Sequence, residues 1–578
     1  MENVEIARIF AEIAELLEMK DEDRFRIRSY RNAALVIEGH TESLKTLYEK
    51  GGEDNLKHIH GVGESIRSKI VELLTTGRCA YHDEFLKELP AGLFDILKIS
   101  GIGPKKAAQL YKELGISTVD ELERAAKGER LRELAGFGEK TEKKILKGIA
   151  GLKAASGRFK LSVALPYAES FVAHIKKAGG AIDVVPAGSL RRWKETVGDL
   201  DILVTCANAG PVMEAFVSHP DVKEITAKGP TKSTVVLKAG LQVDIRVLEK
   251  EAFGAALQYF TGSKAHNVAL RDRAKKMGLK ISEYGVFDGK GRRVAGESEE
   301  DVYRAVGLPW ISPELRENMG EIEAALEGRL PKELCVKDIR GDLHLHTDES
   351  DGGNTLEEMA EAAMALGYEY IAVTDHSRAV GVAHGLDEKR AIRQMEAIDG
   401  FNARLEKKGI KFRALKGAEV DIRADGTLDH PDAVLDRLDC VVGAIHSSFN
   451  MELAEMTARI IKGIRSNRLH IFAHPTGRLI NSREPYQIDM AGVMDEAKKY
   501  GVAMELNSHP DRLDLNDVHC RLAREKGVMV AISTDAHSTG HLRNISYGIH
   551  TARRGWLEKK DVLNTKTLKG LMKALKRG

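Results

Sequence analysis

Apolar residues near the start of the chain recur every three to four positions, as they do on one face of an amphipathic helix. The residues that set this spacing are Ile6, Ile9, Phe10, Ile13, Leu16 and Leu17. After Arg158 the pattern changes to short apolar runs, such as "GDLDILVTC" and "LQVDIRVL", which alternate with helical patterns. This order predicts helical domains first and an α/β domain after them.

A second series of apolar runs fills the last part of the chain. It follows a polar, helical stretch from Arg316 to Lys337, interrupted by Pro331, which is typical of a connector. Strand candidates that alternate with helical patterns predict a parallel (β/α)7 barrel. The seven runs are "RGDLHLH", "YIAVTDHS", "RALKGAEVDI", "LDCVVGAIH", "LHIFAHPTG", "VAMELNS" and "VMVAISTDAH".

Six of these seven runs carry His, Asp or Glu at or near the C-terminal end. Active sites of parallel barrels lie at that end, so we expect these side chains to converge. One histidine of this kind is usually an ordinary surface or core residue, but the repetition predicts a metal site. A mixed set of imidazoles and carboxylates suits Zn²⁺ or Mn²⁺. The candidate ligands are His344, His346, Asp351, His376, Glu419, His446, His474, Asp535 and His537.

Three aspartates form a second candidate site in the first α/β domain. Asp199 and Asp201 share one face of a predicted strand in "GDLDILV", and Asp244 lies on another strand in "QVDIRV". Converging carboxylates repel one another unless cations neutralise them, which favours two Mg²⁺ ions. The alternatives are a structural cation site and exposed strand carboxylates. Upstream residues that could hold a triphosphate are Gly188, Ser189 and Arg192.

Three segments near the beginning each place a Gly-x-Gly turn before a helix: "HIHGVGESIRSKIVELL", "KISGIGPKKAAQLYKEL" and "LAGFGEKTEKKILKGI". Free N–H groups at such a turn and at the start of the helix can bind a phosphate. This helix-hairpin-helix pattern contacts the DNA backbone without reading its sequence. The glycines are Gly61, Gly63, Gly101, Gly103, Gly136 and Gly138.

The length, the cysteine content and the length of the apolar runs limit the class of protein. A length of 578 residues exceeds what one hydrophobic core usually supports, so several domains are expected. Five scattered cysteines without a C-x-x-C pair indicate neither a disulfide framework nor a zinc ribbon, and they suit a reduced cytoplasm. No apolar run approaches the roughly 20 residues of a membrane span, so we expect no membrane association.

The Gly-Ser pair, the following arginine, Gly-Asp-x-Asp and "YFTGSKAHNVALR" at 259–271 resemble, in this order, the motifs of family X DNA polymerases. The resemblance implies that Asp199 and Asp201 bind both Mg²⁺ ions and that Asp244 completes the site. One departure is Gln242, where vertebrate repair members carry an arginine. Residues implied to bind the incoming dNTP are Gly188, Ser189, Arg192, Gly198, Tyr259, Phe260, Gly262 and Asn267, with Arg271 on the template strand.

The segment "RFRIRSYRNAALVI" and the first hairpin resemble the 5′-phosphate-binding domain of the same family. The resemblance places Lys69 at the position of the Schiff-base lysine, and Arg26 and Tyr30 at phosphate contacts. Ser65 replaces a second lysine. Binding of a 5′-phosphate is therefore expected, whereas lyase catalysis by Lys69 remains open.

The histidine-rich strand ends resemble the PHP (polymerase and histidinol phosphatase) domain over residues 338–578. The resemblance implies up to three Mn²⁺ or Zn²⁺ ions. One would take His344, His346, Glu419 and Asp535, a second Glu419, His446 and His474, and a third Asp351, His376 and His537. Such a site could remove 3′-terminal nucleotides, cleave at abasic sites or remove 3′-phosphates.

The sequence thus predicts a monomeric DNA polymerase for short repair gaps, fused to a 3′-5′ exonuclease, with gapped or nicked duplex DNA and dNTPs as substrates. The alternatives are a PHP phosphatase for a small metabolite and a catalytically dead DNA-binding scaffold. The expected domains are a 5′-phosphate-binding domain (1–85), helix-hairpin-helix fingers (86–157), a nucleotidyltransferase palm (158–247), a thumb (248–315), a linker (316–337) and the PHP domain (338–578).

Overall fold

The computed structural model describes residues 3–38, 44–57, 59, 62–90, 92–97, 99, 102–134, 136–154, 158–481, 483 and 485–576. The chain divides into two compact units. The first comprises residues 1–158, 221–224 and 236–242, and the second comprises residues 159–220, 225–235 and 243–578. Among the described helices, none combines the length and the apolar character that a membrane crossing requires.

The described residues up to 154, which make up most of the first unit, form helices around one apolar core. The amphipathic first helix, Asn3–Met19, is confirmed, and its Phe10 and Leu16 side chains are fully buried. Of the predicted hairpin glycines, Gly63 and Gly103 each precede a helix. The helices are Asn3–Met19, Arg24–Glu38, Leu44–Leu56, Glu64–Thr76, Ala80–Glu88, Leu93–Leu97, Pro104–Leu114, Val119–Lys127 and Glu139–Ala154, with a 3-10 turn at Arg130–Glu133.

A five-stranded sheet lies within the predicted palm; the helix Leu161–Ala178 packs beside it, and the helix Ala209–Val217 packs on that helix. Its strands, in spatial order, are Ala181–Pro186, Asp199–Cys206, Gln242–Leu248, Lys232–Leu237 and Val222–Lys228. A short antiparallel pair joins Phe159–Lys160 to Thr196–Val197. Its second strand follows the Gly188–Arg191 helical turn along the chain. The two strands that carry the predicted aspartates are therefore neighbours.

The thumb region follows and has its own apolar core. Its helices are Phe253–Thr261, Lys264–Lys276, Glu299–Ala305 and Glu321–Leu326, and its strands are Lys280–Ser282, Gly285–Phe287 and Arg293–Ala295. The first residues of the predicted linker pack against it: Arg316 is fully buried and pairs with Glu299, and buried Glu321 lies 2.6 Å from His266. The polar pattern that predicted a connector therefore includes charges that are paired inside the fold.

Seven parallel strands form the C-terminal barrel, and they neighbour one another in chain order, which confirms the predicted (β/α)7 architecture. A bridge between Leu345 and Ala536 joins the last strand to the first. The strands are Gly341–Leu345, Tyr370–Val373, Arg413–Asp421, Cys440–Ala444, Ile471–Phe472, Ala503–Asn507 and Val530–Ser533. The helices are Leu356–Ala365, Glu388–Lys407, Asp432–Leu435, Leu453–Arg465, Met490–Tyr500, Asp517–Lys526, Ile545–Arg554 and Leu568–Leu575.

Candidate active sites

The three palm aspartates lie on adjacent strands, Asp199 and Asp201 on one and Asp244 on the next. Burial, and then the charges of Asp199 and Asp244, raise the pKa of Asp201 to about 7. A carboxylate destabilised in this way gains most from a bound cation, so the residues suit the divalent metals predicted for them. Thr234 donates a hydrogen bond to Asp244, which orients this third carboxylate.

A turn beside the aspartates carries the residues predicted to hold a triphosphate. Gly188 has a φ of +63°, and a Cβ there would lie 2.6 Å from the Asp201 carboxylate, so this turn requires glycine. Arg192 donates through Nε to Glu317 at 3.0 Å and through Nη1 to the Thr261 carbonyl. Ser189 is half-buried, whereas Gly198 is exposed.

The residues predicted to form the dNTP pocket lie around the end of the Phe253–Thr261 helix. Tyr259 and Phe260 contact each other edge to face, with ring centroids 5.1 Å apart. Asn267 donates to the Tyr259 carbonyl at 2.7 Å and accepts from Gln258, so it fixes this segment. Gly262 has a φ of +71°, and a Cβ there would lie 3.2 Å from Arg192. The predicted template contact, Arg271, is exposed on the next helix.

The three residues predicted for the 5′-phosphate site meet around Tyr81, which the sequence did not single out. Lys69 Nζ lies 4.9 Å from the centre of the Tyr81 ring, and the Arg26 guanidinium lies 5.3 Å from it. The Tyr30 ring stacks on the Tyr81 ring with centroids 6.1 Å apart, and burial raises the pKa of Tyr30. Lys69 also donates to Ser65, the residue that replaces a second lysine. Two cationic side chains, Lys69 and Arg26, therefore lie close to the same aromatic ring.

The described hairpin glycines leave room for a ligand. A Cβ placed on Gly63, Gly103 or Gly138 would contact nothing within 4 Å, so each helix start is open. Gly136 has a φ of +82°, a conformation that favours glycine. Gly61 and Gly101 lie outside the described residues.

All nine predicted PHP ligands converge at the C-terminal ends of the barrel strands, each within 3.5 Å of another member. Glu419 is central: its carboxylate lies 2.8 Å from His376, 2.9 Å from His474 and 3.3 Å from His446. Three sets of residues could each hold an ion, because the ligand atoms within each set lie within 4.8 Å of one another. They are His346, Asp351, His376 and His537; His344, His346 and Asp535; and His376, Glu419 and His446.

The chemistry of this cluster suits cations. Burial alone would lower the pKa of His376, but Glu419 and Asp351 outweigh it and raise the pKa to about 10. Burial opposes ionisation of Glu419, yet the surrounding imidazoles hold its pKa well below the usual range. His344 Nε2 and Glu419 Oε2 are buried without a hydrogen bond. Divalent ions would supply partners for these atoms, whereas the assignment of ligands to individual ions stays a prediction.

A second layer of polar residues, which the sequence did not reveal, orients the cluster. Glu505 lies 2.7 Å from His344 Nδ1 and also accepts from the backbone of His474. Asn507 donates to Asp535 at 3.0 Å. Both residues sit in "VAMELNS", the apolar run for which no ligand was predicted, and a carboxylate inside such a run was the available signal. Groups of this kind fix the tautomer of a metal-binding histidine.

We expect Glu505→Gln to weaken metal binding about 10-fold to 100-fold, because the amide keeps the shape but removes the charge that faces His344. Isothermal titration of the chelator-treated protein with Mn²⁺ measures this effect. Glu361→Gln, the same change on an exposed helix position, is the matched control. Equal Mn²⁺ affinity in both variants would exclude an orienting role for Glu505.

Comparisons with known proteins match the same regions. Family models match as a "Helix-hairpin-helix domain" (1–79), a "SAM-like Helix-hairpin-helix tandem" (94–150), a "DNA polymerase beta thumb" (256–317) and a "PHP domain" (342–509). The chain is 39% identical over 580 residues, covering all of both chains, to "DNA polymerase/3'-5' exonuclease PolX" of Bacillus subtilis (strain 168). It is 25% identical to "DNA polymerase lambda" of Arabidopsis thaliana, over 54% of this chain and 62% of the relative. It is 28% identical to a probable phosphatase of Thermoanaerobacter sp. (strain X514), over 39% of this chain and 89% of the relative.

The fold and these matches define a protein with N-terminal helix-hairpin-helix domains, a polymerase thumb and a C-terminal PHP barrel that carries candidate metal ligands. The 39% identity to a relative over the full length of both chains shows the family. The chain belongs to the family X DNA polymerases that carry a C-terminal PHP domain. This finding confirms the resemblance stated from the sequence motifs.

Proposed function

We propose that this protein is a DNA-directed DNA polymerase that fills short gaps during DNA repair and carries a 3′-5′ exonuclease in its PHP domain. The observation that supports it best is the presence of two separate clusters in one chain, three carboxylates on one sheet and nine candidate ligands at the barrel mouth. The full-length relative, whose name states both activities, supports the same pairing.

In the polymerase site, Asp199, Asp201 and Asp244 would hold two Mg²⁺ ions. When bound, these ions activate the primer 3′-hydroxyl and stabilise the leaving pyrophosphate. The Gly188 turn brings its backbone and Ser189 to the triphosphate, and the Arg192 guanidinium complements its charge. The Tyr259 segment, held by Asn267, would position the sugar and base.

In the nuclease site, the buried imidazoles and carboxylates would hold up to three Mn²⁺ or Zn²⁺ ions. When bound, such ions polarise the phosphodiester and activate water. Glu419 contacts imidazoles from several strands, so it ties the ligand sets together. The same arrangement could accept an abasic site or a 3′-phosphate, since cleavage at the first hydrolyses a phosphodiester and removal of the second hydrolyses a phosphomonoester. Oligomeric state and a cytoplasmic location remain predictions from the sequence.

A labelled gapped duplex tests the whole proposal. Purified protein with dNTPs and Mg²⁺ should extend the primer, and without dNTPs in Mn²⁺ it should shorten the same strand from its 3′ end. Absence of both products would refute the proposal. Hydrolysis of a small phosphoester that gapped DNA does not inhibit would instead favour the metabolite phosphatase. The Thermoanaerobacter relative, which is named a probable phosphatase, matches 39% of this chain.

We expect Gly103→Val to weaken binding to a gapped duplex about tenfold, because a side chain would fill the open space before the Pro104–Leu114 helix and displace a phosphate from its N–H groups. Fluorescence anisotropy at several salt concentrations measures affinity and salt dependence. Gly289→Val is the matched control, because a Cβ at Gly289 also meets open space, outside the hairpins. Equal losses in the two variants would contradict the role of the hairpin.

A further inference from the structure

The turn that carries Arg192 is held by the barrel helix Ile545–Arg554. Arg554, whose side chain is only 4% exposed, donates through Nη1 to the backbone carbonyl of Arg192 at 2.7 Å. The same Nη1 donates to Glu317 at 3.0 Å, and Nη2 donates to Asp517 at 2.5 Å. A PHP side chain is thus buried against the backbone of the residue predicted to bind the triphosphate.

Glu317 connects the two arginines a second time. Its Oε1 accepts from Arg554 and from Arg192 Nε, each at 3.0 Å. Burial would raise the pKa of Glu317, but Arg554 and Arg192 outweigh it and lower the pKa to about 2. Glu317 thus divides its carboxylate between Arg554 and Arg192, and Arg554 divides its guanidinium between Glu317 and Asp517. Without Arg554, Glu317 would pair with Arg192 alone, which would change the orientation of the Arg192 guanidinium and the charge that it offers to a triphosphate.

The residues that follow Arg192 are also held by the barrel. Trp193 has a φ of +53°, an uncommon conformation for a bulky residue, which persists where the surroundings impose it. Its ring stacks on His550 of the same helix, with centroids 3.5 Å apart and planes 5° from parallel. Glu195 then accepts from Arg478 at 2.6 Å. Side chains of the barrel therefore contact three residues of the segment 192–195: Arg192, Trp193 and Glu195.

We propose that Arg554 is a positioning residue for nucleotide addition: through the Arg192 backbone and Glu317 it fixes the triphosphate-binding guanidinium, so that the PHP domain sets the affinity of the polymerase site for dNTPs. This inference rests on the proposed function, because it assigns Arg192 to the triphosphate. It adds a role for the barrel that is independent of its own metal cluster.

Arg554→Met in the full-length protein should raise the KM for dNTP in single-nucleotide gap filling by about 10-fold to 100-fold, with a smaller change in kcat. The 3′-5′ exonuclease should stay within about twofold of wild type, because Arg554 contacts none of the nine predicted ligands in the described structure. Arg553→Met is the matched control, since neighbouring Arg553 pairs with Glu314 and the Leu334 carbonyl. Its KM for dNTP should not change.

A double-mutant cycle separates positioning from general destabilisation. Arg554→Met and Glu317→Gln should act non-additively on the KM for dNTP, because both break one network. Arg554→Lys, which keeps a charge but not the planar fork, should restore part of the affinity and covers the case in which the methionine variant does not fold. An unchanged KM in folded Arg554→Met, or in Arg554→Lys if the methionine variant is unfolded, would overturn the inference. So would a parallel loss of polymerase and exonuclease activity.

Failure of the proposed polymerase function can be distinguished from failure of the positioning role of Arg554. If wild-type protein does not extend a primer, or extends it without needing Asp201, the proposed function fails. If extension requires Asp201 but the Arg554 and Arg553 variants share the wild-type KM, only the positioning role fails.

Discussion

Asp201→Ala should abolish primer extension, by at least about 10²-fold, while leaving 3′-end removal largely intact. Burial, and then the charges of Asp199 and Asp244, raise the pKa of Asp201 to about 7. Its removal takes away a ligand predicted for both Mg²⁺ ions and leaves the two other carboxylates without a shared cation. The nuclease should persist because its predicted ligands all lie in the barrel.

Gap filling in Mg²⁺ and single-strand digestion in Mn²⁺, measured on one preparation, give both activities. Glu214→Ala is the matched control: it removes an exposed carboxylate from the same palm region, where Glu214 pairs with Lys228 at the surface. Such a surface pair contributes little to stability, so both activities should survive. Near-normal extension by Asp201→Ala would contradict the assignment of the polymerase site.

His344→Ala combined with His346→Ala should eliminate the exonuclease and reduce the metal bound per chain, yet spare polymerisation. Both imidazoles are fully buried and lie near Asp535 and Glu419. Their loss removes two of the four ligands predicted for one ion and leaves two buried carboxylates with less cation to neutralise them. Because Glu419 also contacts His376, His446 and His474, the loss should spread to the rest of the cluster.

Metal content by mass spectrometry, digestion of a single strand in Mn²⁺ and gap filling in Mg²⁺ together check this expectation. His174→Ala, on the palm helix Leu161–Ala178, controls for loss of an imidazole outside the barrel. Full nuclease activity with undiminished metal in the double variant would show that these histidines are not ligands. Loss of gap filling as well would contradict the expectation that the two sites act separately.

The sequence by itself determined the elements and the candidate ligands. Side chains two residues apart on a strand face one side, which is why "HLH" and "DLD" could be read as paired ligands, and strand ends of a parallel barrel converge whatever their order in the chain. The glycine turns could also be predicted, because a glycine marks a position where a side chain would not fit or would block a ligand. In the structure Gly188 has a φ of +63°, and the helix start at Gly103 is open.

Tertiary structure decided which polar residues became buried and what they met. Glu505 lies 161 positions from His344 and Arg554 lies 362 positions from Arg192, so no local spacing links them. Arg316 and Glu317 belong to a stretch whose polarity predicted a connector, yet Arg316 is paired with Glu299, 17 positions away, and Glu317 with Arg554, 237 positions away. A charged side chain is buried only where such a partner offsets the cost of removing it from water, and that partner exists only once the chain has folded.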